Sequence, residues 1–416
     1  MSGDPHLEAA PTGAAPPRRT GVQVYVYAAT AFWGASIGLL SGTLPFRFEQ
    51  LGLSVFEYGL TLSVYAAGML PTESIWGAVA FRLGRPPIII AIGTVVGGAT
   101  LLLAYARTFP EFLVAEVFLG AFGVYLAPIL RWVSFTYGGP GSEGVGTGRW
   151  SSVFGLGIAV GLTIGPAGFV AVGFRDVAFG SLGALALAVA AAAMLPWARA
   201  ALPPVTRGRG LALRTVATRP FLIAVGLVLI TFTAMTFTSN FLQYYSTLLF
   251  GGSTSDAGYV LGAARLVSLS AAFLMGALVD RWGPSRAIPA GFGLLLVGGL
   301  ATWGARSYDD MVGATLIFSV GVGWLSASLL PLALNTMPRD HQGTAIGVFG
   351  SMEDAGLLIG PLLFGAAWAT FGPRSLFPLV SALAAGGAGA SLAVALRPGW
   401  ARRSETGPSV GTRRPD

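Results

Sequence analysis

The 416-residue chain has no cysteine and no lysine, and only two histidines, His6 and His341. Each absence closes off a chemistry. Without cysteine there are no disulfides and no thiolate metal sites. Without lysine there is no phosphate-binding P-loop, no Schiff-base nucleophile and no anchor for retinal or pyridoxal phosphate. Charge is scarce as well: 10% of residues are charged against 54% hydrophobic, and the mean hydropathy is +0.70. Such values lie outside the range of soluble globular domains. The sequence offers no nucleophile–base pair and no cluster of metal ligands, so an enzyme is not expected, nor a metal or cofactor. The composition is that of an integral membrane protein, and any work it does across a bilayer must draw on a gradient or on a partner subunit.

Glycine (60) and proline (26) are abundant. Inside long apolar runs they indicate helices packed closely through small residues and bent at proline. Runs long enough to cross a hydrocarbon core of about 30 Å fall at 22–46, 55–80, 87–107, 111–136, 150–172, 176–197, 220–249, 257–279, 287–305, 310–336, 342–370 and 374–396. The first is too long for a cleavable signal and reads as a retained helix. The fifth and sixth are separated only by the turn Gly173–Arg175. The expected fold class is an all-α integral membrane protein of twelve transmembrane helices.

Arginine, the only strong base, reports orientation. Of its 25 copies, Arg265 lies inside a span and Arg47, Arg107, Arg175, Arg306 and Arg374 fall on one side; the other nineteen fall on the side of the N-terminus. That bias places both termini in the cytoplasm of a cell inner (plasma) membrane. It also accounts for a pI near 10.0 through anionic lipid rather than nucleic acid. The stretch Arg199–Arg219 carries five arginines and no acid and divides the chain. The expected organisation is a tail at 1–21, a six-helix bundle at 22–197, a linker at 198–219, a second bundle at 220–396 and a tail at 397–416.

Two motifs recur in both bundles. Gly77-Ala-Val-Ala-Phe81-Arg82-Leu-Gly84-Arg85 matches Gly276-Ala-Leu-Val-Asp280-Arg281-Trp-Gly283 at an offset of 199, and Gly161-Leu-Thr-Ile-Gly165-Pro166 matches Gly356-Leu-Leu-Ile-Gly360-Pro361 at 195. Nearly equal offsets indicate one six-helix unit repeated in parallel, giving two pseudo-symmetric bundles with a cavity between them. Glycine at every fourth position opens a smooth helix face, and the proline after it bends the chain. Close packing alone explains such glycines, and a role in rocking is the alternative.

These motifs resemble those of the major facilitator superfamily of secondary transporters, over essentially the whole chain. The resemblance implies that Gly77, Arg82, Gly84, Arg85, Gly276, Asp280, Arg281 and Gly283 belong to a cytoplasmic gate. Phe81 stands where the family has Asp, so the N-terminal copy lacks that charge. The Gly-Pro element is similar to that of drug and metabolite antiporters, though Ser152 replaces an earlier glycine and Phe169 interrupts the trailing pair. Glu116, four residues before Gly120, takes the place of an arginine that the family carries in the fourth helix, which inverts the charge there.

Ionisable residues inside a span cost about 2.5–3.5 kcal/mol each and mark function by default. The candidates for proton coupling are Glu73, Glu116, Arg265, Glu353 and Asp354. A carboxyl group that alternates between a low-dielectric site and a neighbouring guanidinium exchanges its proton as the conformation changes. The competing reading is a structural polar contact or internal ion pair; Arg265 would then simply neutralise one of the acids. Glu353 and Asp354 are about 100° apart around a helix, and Asp354 is expected in the cavity with Glu353 at a helix contact. Glu73, nine residues before Arg82 and so about 13 Å away by helix rise, would join the gate. Tyr25, Trp33, Asn240, Gln243, Tyr244, Tyr245 and Trp324 are candidate substrate contacts through stacking, cation–π or amide groups; the bland reading is packing or an interfacial belt.

The function expected is rocker-switch transport, as proton-coupled efflux of a drug-like or metabolite compound. Its partners are a small-molecule substrate, protons and the lipid bilayer, with the chain acting as a monomer. Uptake of a sugar, organic acid or other nutrient by symport or uniport is the alternative within transport; a non-transporting membrane sensor is the alternative of another class.

Overall fold

The apolar runs fold as helices in the computed structural model, which describes residues 19–83, 86–137, 143–195, 218–337 and 342–396; among them there is helix and no strand. The first half comprises α1 (Arg19–Gln50), α2 (Val55–Leu83), α3 (Pro86–Tyr105), α4 (Phe109–Gly123), α5 (Leu126–Tyr137), α6 (Glu143–Val172) and α7 (Phe174–Ala193). The second comprises α8 (Arg219–Leu248), α9 (Thr254–Trp282), α10 (Pro284–Gly304), α11 (Tyr308–Asn335), α12 (Gln342–Phe371), a 3₁₀ turn (Pro373–Ser375) and α13 (Leu376–Ala395). Eleven described segments, with most of α4 and α5 counted as one, are long and apolar enough to cross a membrane. The segment Val55–Leu83, at 29 residues, is long enough to make a twelfth.

The helices exceed the apolar runs at several ends because short polar links are capped rather than left open. Ser253 Oγ accepts from the Asp256 N–H, and Asp256 accepts in return from the Ser253 N–H, both at 3.1 Å. Ser307 and Asp310 make the same box at the start of α11. Such boxes satisfy amides that would otherwise be orphaned at a helix start. The expected Gly173–Arg175 turn is shorter than anticipated: Gly173 alone, at φ 87°, separates α6 from α7, in a backbone region that favours glycine.

The fourth span departs from expectation. It is two helices, broken at Val124–Tyr125, and the cause is Pro128, which lacks an N–H and whose ring clashes with the carbonyl four residues earlier, that of Val124. The break is stapled from outside. Trp76 Nε1 donates to the Ala121 carbonyl at 2.7 Å, and the Tyr125 hydroxyl donates to the Ile89 carbonyl at 3.3 Å.

Glycine ladders set the tightest packing. Gly34, Gly38 and Gly42 of α1 face Gly157, Gly161 and Gly165 of α6, so that a Cβ on Gly161 would lie 2.5 Å from the Ala35 carbonyl oxygen. In the second half, Gly356 and Gly360 of α12 receive Phe232 and Thr236 of α8. The prolines that follow turn the other way. Pro166 of α6 packs on Gly258 of α9, and the Pro361 turn of α12 packs on Gly59 of α2. Each repeat of the Gly-Pro motif therefore binds its own half through glycine and the opposite half beside proline. This produces two related seams between the halves, α6 with α9 and α2 with α12, the latter closed by Ser63 Oγ donating to the Leu358 carbonyl at 2.7 Å.

Candidate functional site

An aromatic seal joins the halves at the end of the bundle remote from the start of α1. Phe112 of α4 meets Phe48 of α1 (4.6 Å between ring centroids), Phe48 meets Tyr58 of α2 (5.6 Å), and Tyr58 crosses to Tyr244 (5.4 Å) and Phe241 (5.9 Å) of α8. Phe241 and Tyr244 continue to Phe364 and Trp368 of α12, at 5.9 and 5.8 Å. Tyr58, Phe241 and Phe364 are buried. The Tyr244 hydroxyl donates to the Pro45 carbonyl of the opposite half at 3.1 Å. Tyr244, a candidate substrate contact by sequence, thus has its hydroxyl engaged in a bond between the halves. Tyr58 was absent from the sequence candidates, because a ring near the start of an apolar run looks like any interfacial tyrosine.

Below the seal, within the first half, lies a cavity of about 120 Å³ lined by α1, α2, α3, α4 and α7. Glu116, 6% exposed, is its acid. Around it stand Trp33, Ser36, Ser41, Tyr65 and Thr100. The hydroxyls of Ser41 and Thr100 donate to carbonyls of their own helices, those of Ile37 (2.8 Å) and Val96 (3.0 Å). Their lone pairs remain available to accept a proton from water or from a protonated carboxyl group. Ser36 is tied to Ser181 of α7 at 2.9 Å. The volume would hold several waters, with Glu116 and these hydroxyls as their polar partners in a largely apolar lining. Gly123, where the broken fourth span ends its first segment, also lines the cavity. Among the described residues, no hydrogen bond or ion pair engages the Glu116 carboxyl group.

The other candidates are dispersed. Trp33 is buried, lines the same cavity as Glu116, and meets Phe154 at 4.6 Å; Phe154 in turn stacks on Trp150, over which Arg131 sits at 4.7 Å. Tyr25 is exposed near the start of α1. Asn240 is half-buried. Gln243 is fully buried, with neither amide atom hydrogen-bonded. Tyr245, also fully buried, stacks on Phe237 at 5.0 Å inside the second half. Trp324 packs by Gly291 and near Trp282, at 6.4 Å, away from Glu116's cavity. Asp354 is buried and Glu353 half-buried, and both have partners. Arg265 is half-buried, with its Nε buried and unbonded. Of the gate motif, Gly283 ends α9 at φ 78° and Arg281 is exposed, while Gly276 lies within α9. Gly84 and Arg85, and the side chains of Glu73, Gly77, Arg82 and Asp280, lie outside the described residues.

Comparison with known proteins accords with this architecture. The chain is 27% identical over 123 residues to a riboflavin transporter of Clostridioides difficile and 28% identical over 115 residues to an uncharacterized MFS-type transporter of Mycobacterium tuberculosis. These stretches cover 30% and 26% of this chain but only 27% and 20% of the two relatives. In structure it is similar to the nucleoside transporter NupG, with a TM-score of 0.75 at 12% identity over 91% of this chain and 99% of that one. A bacterial homologue of the human lysosomal transporter Spinster, in an inward-facing and occupied conformation, matches with a TM-score of 0.68 at 16% identity over 92% and 95% of the two chains. At such identities the likeness is one of fold. A sequence model described as Major Facilitator Superfamily matches residues 26–361 and again 229–413, and the chain belongs to that superfamily.

Proposed function

We propose that the protein is a rocker-switch carrier that exports a small organic compound in exchange for protons, with Glu116 as the proton-carrying group. The observation that carries this reading is a single acid lining an otherwise largely apolar cavity beside hydroxyl lone pairs, free of any described counter-ion. Placing a charge in a span is costly, and such residues are kept for function. The arginine bias puts the start of α1 on the cytoplasmic face. With that orientation the aromatic seal lies at the outer end, the end that an inward-facing carrier keeps closed. Exchange to the outward-facing state would break the seal and close the opposite end around the two seams.

Reconstitution into liposomes with a trapped pH indicator tests the reading. An outward gradient of a transported compound should drive proton movement in the opposite direction, and an imposed pH gradient should in turn drive compound movement. Flux indifferent to the pH gradient would leave a carrier without proton coupling, and absence of flux for any of a broad panel of organic compounds would contradict transport itself.

A further inference from the structure

The two seams between the halves are related by the internal repeat, yet each carries a different charge. On α9, Gly258 packs on Pro166 and Gly262 approaches Thr163 and Ala159, while Leu269 packs on Gly155. At about 100° per residue, Arg265 lies within about 60° of Gly258, Gly262 and Leu269. It is turned toward the flank of α11, where Gly323 meets Ser268 and Ala271. Its guanidinium therefore issues at the edge of the α6–α9 seam, between a helix of the first half and one of the second. At the repeat offset of 199 its counterpart on α2 is Ala66, and at the offset of 195 the counterpart of Asp354 is Ala159. One seam thus pairs Arg265 with the alanine that replaces an acid. The other pairs Asp354 with the alanine that replaces an arginine. Cation and acid sit on opposite seams rather than together.

Arg265 Nε is buried without a hydrogen-bond partner, and among the described residues no carboxylate pairs with the guanidinium. A cation so placed requires a counter-ion, and none of the described residues supplies it. We infer that Arg265 binds the anionic group of the transported compound, and that the substrate class is an organic anion, a carboxylate or phosphate on an apolar body. Guanidinium matches both groups through paired N–H donors. The faces of α6 and α9 are themselves closed here, Gly262 on Thr163 and Ala159 and Leu269 on Gly155, so the compound reaches the guanidinium at the edge of the seam. This inference rests on the transport reading above and deepens it. It also removes Arg265 from the proton-coupling set.

The test uses the full chain in liposomes with four probes of one shape: 2-naphthoate, 2-naphthyl phosphate, 2-naphthamide and 2-naphthylamine. The wild type should move the two anions and neither the amide nor the amine. Arg265→Gln should lower anion flux by about thirtyfold or more, as for truncation of a buried charge pair, and Arg265→Lys should retain part of it. Because the chain has no other cysteine, Arg265→Cys can be labelled uniquely. Attaching an aminoethyl group through a methanethiosulfonate should restore anion flux, and attaching a sulfonatoethyl group should not. Equal flux of amide and carboxylate, or an unaltered anion flux in Arg265→Gln, would overturn the inference while leaving transport intact. No flux of any probe would overturn the inference; only failure on the broader panel as well would overturn the transport reading with it.

Discussion

Glu116→Gln is expected to lower pH-gradient-driven flux by about tenfold or more, tenfold corresponding to about 1.4 kcal/mol of coupling, while leaving gradient-independent exchange of the compound largely intact. Glutamine has the shape of the protonated acid and lacks only the ability to lose a proton. A carrier that must release a proton from this site in each cycle stalls in net transport. One that merely swaps compound for compound does not pass through that step. Glu116→Asp should recover part of the driven flux, because the cavity holds room beside Ser41 and Thr100 for a shorter acid and a bridging water. If net flux and exchange fell together in Glu116→Gln, the residue would be structural. If neither fell, the proton would travel elsewhere, and Asp354 would be the acid to test next.

The second large effect concerns the seal. Tyr58→Ala removes a buried ring that touches Phe48 in its own half and Phe241 and Tyr244 in the other. Loss of a buried aromatic side chain costs about 3–5 kcal/mol. The part of that cost borne across the halves is felt only in the sealed state. A shift of about 3 kcal/mol would move a two-state equilibrium by more than about a hundredfold. Tyr244→Phe removes only the hydrogen bond to the Pro45 carbonyl, about 0.5–1.5 kcal/mol, for a shift of a few-fold. Spin labels on Gln50→Cys and Leu248→Cys, exposed positions at the sealed ends of α1 and α8, report the separation of the halves. The distance distribution should broaden slightly in Tyr244→Phe and move to longer distances in Tyr58→Ala. An unchanged distribution in Tyr58→Ala would mean that the rings fill space without holding the halves together.

The sequence made the helical spans legible because crossing a bilayer demands long apolar runs whatever the tertiary contacts. The Gly-Pro repeats were legible for a related reason: a helix that approaches another at backbone distance admits only small residues at fixed spacing, and Gly161 and Gly356 meet their neighbours at 2.5–2.6 Å from a would-be Cβ. Glu116 stood out through the cost of charge in a span. The break in the fourth span was present in the sequence as Pro128, but an unbroken hydropathy run concealed it. The bond from Tyr244 to Pro45 was not legible, since the register of α8 against α1 depends on packing between distant segments that leaves no local pattern. The same holds for Trp324, a candidate through its ring chemistry, whose packing near Gly291 and Trp282 leaves no mark in the local sequence. Nor did local sequence reveal that Trp33 and Glu116 share a cavity inside one half; that depends on how five helices assemble.

A rocker switch about the two seams is tested by following both ends of the molecule in one preparation. A second label pair at Arg149→Cys and Trp282→Cys, exposed positions on α6 and α9 toward the other end of their seam, complements the pair at Gln50 and Leu248. In liposomes, as the pH gradient is reversed, one distance should lengthen as the other shortens. Distances that lengthen or shorten together, or that hold fixed while compound is transported, would contradict a rocker switch about these two seams.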